Sequence, residues 1–391
     1  MDEPFDRAPG GRSAASPPPE GAGAAPQRPR GGPHPGLPAA SARGSLGGAP
    51  APASESELDE YLSRPTPGVR AALAGLDGDL VVLGAGGKMG FSLCRMVLRA
   101  WDEAGLAGRR VVAVSRFANA AARDTFEAGG MTTIAGDLLA DGAVEALPDA
   151  PNILYLAGMK FGSANAEPAT WAMNTFLPGL VARRYPRARI VALSTGNVYA
   201  FTPVGSGGAR ESDPLGPIGD YAQSCLGRER LLAWHSVRNG TPVTLIRLNY
   251  ANALRYGVLL DVAEAVAAGT PIDLTMGFAN VIWQGDANAA ILASFGSCAS
   301  PPETLNVSGS DTLSVRRTAE RFAELLGSAS PTFTGTEAET ALLSNSERAH
   351  ALFGEPDVST AQLIEWTAAW LRSGGQRLGK PTHFAVRDGR F

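Results

Sequence analysis

Cysteine and histidine are scarce in this chain: three of the first and four of the second in 391 residues. Cys94, Cys225 and Cys298 cannot all pair, and neither they nor His34, His235, His350 and His383 are spaced as metal ligands. No metal site is expected, and unpaired thiols imply a reducing, cytoplasmic setting. An excess of one charge sign is also missing. The net charge of −4 is spread along the chain, with neither the basic stripe that nucleic acid requires nor the polybasic run that an anionic membrane attracts. No run of about 18 apolar residues is present to cross a bilayer. The start, Met1-Asp2-Glu3-Pro4, lacks the apolar core of a secretory signal. Nucleic-acid and membrane partners are therefore not expected.

Apolar residues make up 44 % of the chain, enough for a sizeable core. They are unevenly placed. Residues 1–52 hold 12 of the 29 prolines and almost no branched apolar side chains, so this stretch reads as a disordered Pro/Gly/Ala-rich tail. Ser54-Glu55-Ser56-Glu57 has the serine caps and acidic first turn of a helix start. A short helix ending near Arg64-Pro65 is expected within a linker over 53–77.

From Gly78 the pattern alternates strand with helix. Strands are expected at Leu80–Leu83, Arg110–Val114, Thr133–Ala135, Asn152–Leu156, Ala188–Leu193 and Pro242–Arg247. Unbroken apolar runs such as Leu80-Val81-Val82-Leu83 fit strands buried on both faces. The rhythm predicts an α/β fold with a doubly wound parallel sheet over 78–250. A smaller α/β substrate-binding subdomain is expected over 251–391, with helices at 261–268, 315–326 and 360–371. The stretch 281–310 is expected to return to the main sheet.

The strongest local motif is Gly84-Ala85-Gly86-Gly87-Lys88-Met89-Gly90. In a G-x-G-x-x-G frame it fails at Met89; in a G-x-x-G-x-x-G frame Gly84, Gly87 and Gly90 all fit. The turn follows a buried strand and opens a helix, the context in which backbone approaches a pyrophosphate at a helix N-terminus. A Rossmann-type dinucleotide site follows. The second strand ends at Ser115-Arg116 without a carboxylate, so these two side chains can accept a 2′-phosphate, which favours NADP over NAD. Arg116 can equally be a solvated loop residue or stack on adenine. Lys88 adds a cation to the turn. In Gly136-Asp137-Leu138, Asp137 is placed to accept from the adenine amino group.

The pieces from Leu80 to Leu371 together resemble an extended short-chain dehydrogenase of the NAD-dependent epimerase/dehydratase family. Leu156-Ala157-Gly158-Met159-Lys160 is similar to the fourth-strand stretch of UDP-galactose 4-epimerases. Leu193-Ser194-Thr195-Gly196-Asn197-Val198-Tyr199 is similar to the family's S-S-x-x-V-Y-G. Glu211-Ser212-Asp213-Pro214 leads into Tyr221 as in the family. Arg247-Leu248-Asn249 and Leu305-Asn306-Val307-Ser308-Gly309 resemble its later strands. The resemblance implies that Ala157, Gly158, Lys160 and Asn174 contact the cofactor. It implies Thr195 as the hydroxyl that holds the substrate oxygen and Tyr221 as the general acid/base. It also implies a carbohydrate substrate (a sugar, sugar acid or nucleotide sugar) and a homodimer through the helices bearing Asn174 and Tyr221.

The chain departs from the family at one position. Four residues after Tyr221, where the family has lysine, stands Cys225. Three readings stay open. Cys225 fills space in a site that lost its base; or another cation compensates, with Lys160 ahead of Arg228, which lies about 10 Å further along the helix; or the thiol itself works. A phenol titrates near 10 and needs a nearby positive charge to act at neutral pH. Two functions follow: hydride chemistry on a sugar, or a dinucleotide-binding module that senses the cofactor's redox state. Arg255, Asp286 and the stretch Lys380 to His383 are weaker candidates, the first as an anion contact, the second as a structural cap, the third as a cover over the site.

Overall fold

The computed structural model describes residues 45–106, 108–160, 162–380 and 382–391. Seven parallel strands form its centre: β1 Leu80–Leu83, β2 Val111–Ser115, β3 Thr132–Ala135, β4 Asn152–Tyr155, β5 Arg189–Thr195, β6 Val243–Leu248 and β7 Glu303–Val307. Their order across the sheet is β7-β6-β5-β4-β1-β2-β3. The chain reverses its winding between β1 and β4, and in such sheets ligands bind at the carboxyl ends beside the reversal. Strands β1 and β4 are buried throughout, which explains their unbroken apolar runs.

Helix α3 (Gly90–Glu103) buries Leu93, Cys94, Met96, Val97 and Trp101 against one face of the sheet. On the other face lie α5 (Glu167–Trp171), a π-helical turn (Ala172–Phe176), α6 (Leu177–Arg184) and the long α7 (Gly219–Asn239). A second core gathers α8 (Val258–Ala268), α10 (Val315–Leu326) and α12 (Thr360–Arg372).

Several expectations need correction. The tail foreseen over 1–52 lies outside the described residues as far as residue 44, but from Ser45 onward the chain is fixed. Leu46 is buried. Trp366 Nε1 donates to the Ala49 carbonyl at 3.1 Å, and Gln362 Nε2 to that of Leu46 at 2.7 Å. Composition hid this, because one leucine and two backbone carbonyls suffice to hold the segment. The linker over 53–77 is two packed helices, α1 (Glu55–Leu62) and α2 (Pro67–Ala74), which bury Leu58, Leu62, Val69 and Leu73. Of the stretch 281–310, only β7 joins the main sheet; Ile282–Trp283 pairs instead with Ala251–Asn252.

Candidate active site

Glycine is required twice in the turn after β1. Gly84 has φ +87°, and a Cβ there would stand 2.6 Å from the Ala157 nitrogen. At Gly90 a Cβ would stand 1.9 Å from the Ala85 carbonyl oxygen. Helix α3 can therefore start hard against β1, and its N-terminus has no side-chain cap. Open N–H groups and the positive end of the helix dipole border a cleft, and this arrangement fits a dinucleotide diphosphate. The cleft encloses about 430 Å³ and is lined by Gly84, Gly87, Lys88, Met89 and Gly90 from the turn. Gly158 and Lys160 line it after β4, Thr195 and Asn197 after β5, and Tyr221 and Arg228 from α7.

Thr195 is placed by its own turn: its hydroxyl accepts from Asn197 N at 3.2 Å and Asn197 Nδ2 at 2.9 Å. It lines the same cleft as the Tyr221 phenol and acts on it. Burial pushes that phenol up, and the neighbouring Cys225 adds to the rise; the Thr195 hydroxyl and the Arg228 charge pull it down. Cys225 lies behind Tyr221, 1 % exposed, and does not line the cleft. Burial raises its thiol as well, which works against the thiolate that a working thiol needs.

Lys160 reaches the same place from the other side. Its ammonium is 4.2 Å from the Phe391 ring centre and 5.7 Å from that of Tyr221. Burial pushes it down to about 8. Lys88 lies 3.0 Å from the Tyr256 ring centre. Although the residue keeps an exposed surface, the crowded cleft, Lys160 and Lys380 push its ammonium down to about 7.

Asn174 departs from the expected cofactor contact. It sits in the π-helical turn, fully buried, and spends its amide on protein. Its Oδ1 accepts from Met159 N at 2.8 Å and Arg228 Nη2 at 2.9 Å, and its Nδ2 donates to the Met159 carbonyl and Ser224 Oγ. It therefore braces the cleft wall from behind. Ala157, Ser115, Arg116, Asp137 and Leu138 also do not line the cleft. Ser115 and Arg116 close β2 as foreseen. Asp137 accepts from Leu139 N within its own turn at 3.0 Å, and Leu138 packs into the core.

Below Thr195 runs a buried network. Glu229 on α7 accepts from Ser194 Oγ at 2.5 Å and pairs with Arg247 on β6 at 2.8 Å. Arg247 Nη1 donates to the Tyr199 hydroxyl at 2.7 Å, and that hydroxyl donates to Asn306 Oδ1 at 2.8 Å. The two charged side chains are 4 and 7 % exposed. They tie α7 to β5, β6 and β7, and so set Tyr221 against Thr195.

The weaker candidates sort themselves out. Arg255 pairs with Glu55 and Asp59 of α1 rather than facing the cleft. Asp286 accepts from Val358 N at 3.0 Å in the stretch before α12, whose cap is Ser359, and burial pushes it up to about 7. Of the segment after residue 376, one residue reaches the cleft wall. Thr382 lines the cleft and bonds Asp261. Arg387 bonds the Thr275 and Thr340 carbonyls, and Gly389 packs on Gly219. The Phe391 ring meets Tyr221 edge-on at 5.5 Å. No local sequence signal marks Phe391, because its partner lies 170 residues earlier.

Among the described residues no group of acidic, cysteine or histidine side chains is placed to hold a metal, and no helix is long and apolar enough to cross a membrane. Residues 80–256 match the NAD dependent epimerase/dehydratase family. No curated protein sequence matches significantly. Among solved structures, MoeE5 in complex with UDP-glucuronic acid and NAD is 20 % identical, with a TM-score of 0.62 over 76 % of this chain and 100 % of that one. UDP-glucuronic acid 4-epimerase from Bacillus cereus, with UDP-glucuronic acid and NAD, is 16 % identical, with a TM-score of 0.63 over 75 % and 99 %. A double mutant of DesIV, a dTDP-glucose 4,6-dehydratase from Streptomyces venezuelae with NAD bound, is 19 % identical, with a TM-score of 0.64 over 75 % and 96 %. At these identities the likeness is one of fold.

Proposed function

Because residues 80–256 match the NAD dependent epimerase/dehydratase family, we propose that this protein oxidises a carbinol carbon of a sugar or nucleotide sugar, with Tyr221 as acid/base and Thr195 as the group that holds the reacting oxygen. One observation carries the reading: the Thr195 hydroxyl and the Tyr221 phenol line the same cleft, which opens at the glycine turn, and the hydroxyl draws the phenol down. The nicotinamide ring supplies the hydride acceptor when the cofactor is bound. Gly84 and Gly90 let the backbone approach the diphosphate, and the uncapped end of α3 offers N–H donors. Thr195 orients the substrate hydroxyl, and Tyr221 takes its proton at the phenol oxygen and later returns one. Lys160 stands beside that phenol with its ammonium held down to about 8.

The neighbours carry NAD, so the leaning toward NADP rests on Ser115 and Arg116 alone. Titrating the purified protein with both coenzymes decides this. A thermal-melting panel of UDP-glucuronic acid, UDP-glucose and dTDP-glucose, run with the preferred coenzyme, then tests the substrate class, since a bound ligand raises the midpoint. Near-ultraviolet absorbance reads reduction of the cofactor. If neither coenzyme binds, the proposal fails.

The second reading is a dinucleotide-binding module without turnover, and Cys225 in the lysine's place favours it. It predicts tight coenzyme binding with no reduction by any sugar tested. For assembly we propose a homodimer across the outer faces of the π-helical turn and α7, which expose Phe176, Trp234 and Val237. Light scattering of the intact chain, and of a Phe176→Glu/Trp234→Glu variant that should be monomeric, checks this.

A further inference from the structure

The missing lysine leaves a question of charge, and α7 answers it one turn later. We infer that Arg228 is the positioning cation of this site: its guanidinium stands in the place vacated at Cys225, beneath Gly158 and beside the Tyr221 phenol. This rests on the functional reading above and names a residue that reading does not use.

Seven helical residues advance about 10 Å but turn almost two full circles, so residue 228 shares a face with residue 221. Side chains on a helix lean toward its N-terminus. An arginine therefore reaches back over the short Cys225, which a lysine at 225 would block. The axial distance that counts against Arg228 in the sequence is covered by its own stem. Arg228 is 4 % exposed, borders the cleft, and acts electrostatically on both Cys225 and Tyr221. A Cβ on Gly158 would meet its Nη2 at 2.9 Å, so the cleft floor is bare where the guanidinium lies.

The way this charge is held sets it apart from an ordinary buried ion. Its hydrogen bonds go to neutral oxygens: Nε to the Asn174 carbonyl at 3.3 Å, Nη1 to the Leu193 carbonyl at 2.5 Å, Nη2 to Asn174 Oδ1 at 2.9 Å. The adjacent carboxylate, Glu229, is taken by Arg247 and Ser194. Glu229 still acts on Arg228 through space, but among the described residues no carboxylate forms an ion pair with it, and its guanidinium borders the cleft. Three of the guanidinium's five donors are used this way. Two more remain for acceptors such as the ribose hydroxyls of a bound coenzyme.

The test is exchange of the charge between two positions, read by titrating the full chain with NAD through tryptophan fluorescence. Arg228→Gln is expected to weaken NAD binding about ten-fold or more. Adding Cys225→Lys to that variant is expected to restore affinity to within about three-fold of wild type, whereas Cys225→Met, with bulk but no charge, restores nothing. A residue that only braces the fold would not be rescued by a lysine one turn away. Circular dichroism reports folding. If Arg228→Gln alone does not fold, the Cys225→Lys and Cys225→Met doubles are still compared, and failure of the lysine double to fold or to bind NAD better than the methionine double overturns the inference. Unchanged affinity in Arg228→Gln, or equal recovery with methionine, also overturns it. A wild-type protein that ignores NAD would sink the functional reading instead.

Discussion

Breaking the Glu229–Arg247 pair is expected to cost far more than its count of hydrogen bonds suggests. Changing Arg247 to Met removes the guanidinium that gives Glu229 two bonds and holds the Tyr199 hydroxyl. Glu229 then keeps only Ser194 Oγ, at a site 4 % exposed. Removing one partner of a buried pair costs about 3–5 kcal/mol, because the remaining charge has no water. Unfolding entropy is roughly 2.1 cal/mol/K per residue, so in a fold of this size a loss of about 4 kcal/mol lowers the melting midpoint by about 5 °C. Replacing both partners with apolar residues, Glu229→Leu with Arg247→Met, leaves no orphan charge and is expected to cost less than the sum of the single changes. Calorimetry and urea titration of the three variants measure this. A single change costing under about 1 kcal/mol, or a double change that is simply additive, would refute the claim that the pair is sealed from solvent and acts as one unit.

Other outcomes follow from the geometry. Gly90→Ala puts a methyl 1.9 Å from the Ala85 oxygen, so α3 must shift and NAD titration should show no binding, while the far core of α8, α10 and α12 keeps its helical signal. Tyr221→Phe should lower any sugar-driven cofactor reduction by about 10²–10⁴-fold with coenzyme affinity unchanged, the usual share of a positioned acid/base. Lys160 titrates at about 8 in the fold against an ordinary 10.5. Between those values the unfolded chain holds a proton that the folded chain has lost, so stability rises with pH across that window. Lys160→Met should therefore stabilise the protein most below pH 8, and its advantage in melting midpoint should shrink toward pH 10; a constant difference would mean that the ammonium is solvated.

The parallel sheet and the glycine turn were legible because each is a local pattern: apolar runs for strands buried on both faces, and glycines spaced for a backbone that must pass close to another. The strand boundaries of β1 and the span of α10 could be read from periodicity alone. What escaped depends on contacts distant in sequence or on side-chain direction. Ile282-Trp283 has the composition of a central strand, yet Ala251–Asn252 competes for its edge. Residues 45–52 have the composition of a loose tail, yet Gln362 and Trp366 hold their carbonyls. Asn174 was foreseen at the site but not behind its wall. Arg228 was discounted on rise per residue, a measure that ignores which way a helical side chain leans. Family likeness pairs Tyr221 with Thr195, and both line one cleft.

A strap held in place from Thr382 to Phe391 is expected to sort the ligands of this cleft by girth. A molecule slim enough to lie beneath the Phe391 ring leaves the Arg387 bonds to Thr275 and Thr340 in place, and it meets Tyr221 in a drier enclosure. A bulkier visitor must first unlatch those bonds, and its apparent affinity falls by the fraction of time the latch stands open. Trimming Arg387 to Ala would thus widen the range of guests admitted without touching any atom that performs chemistry.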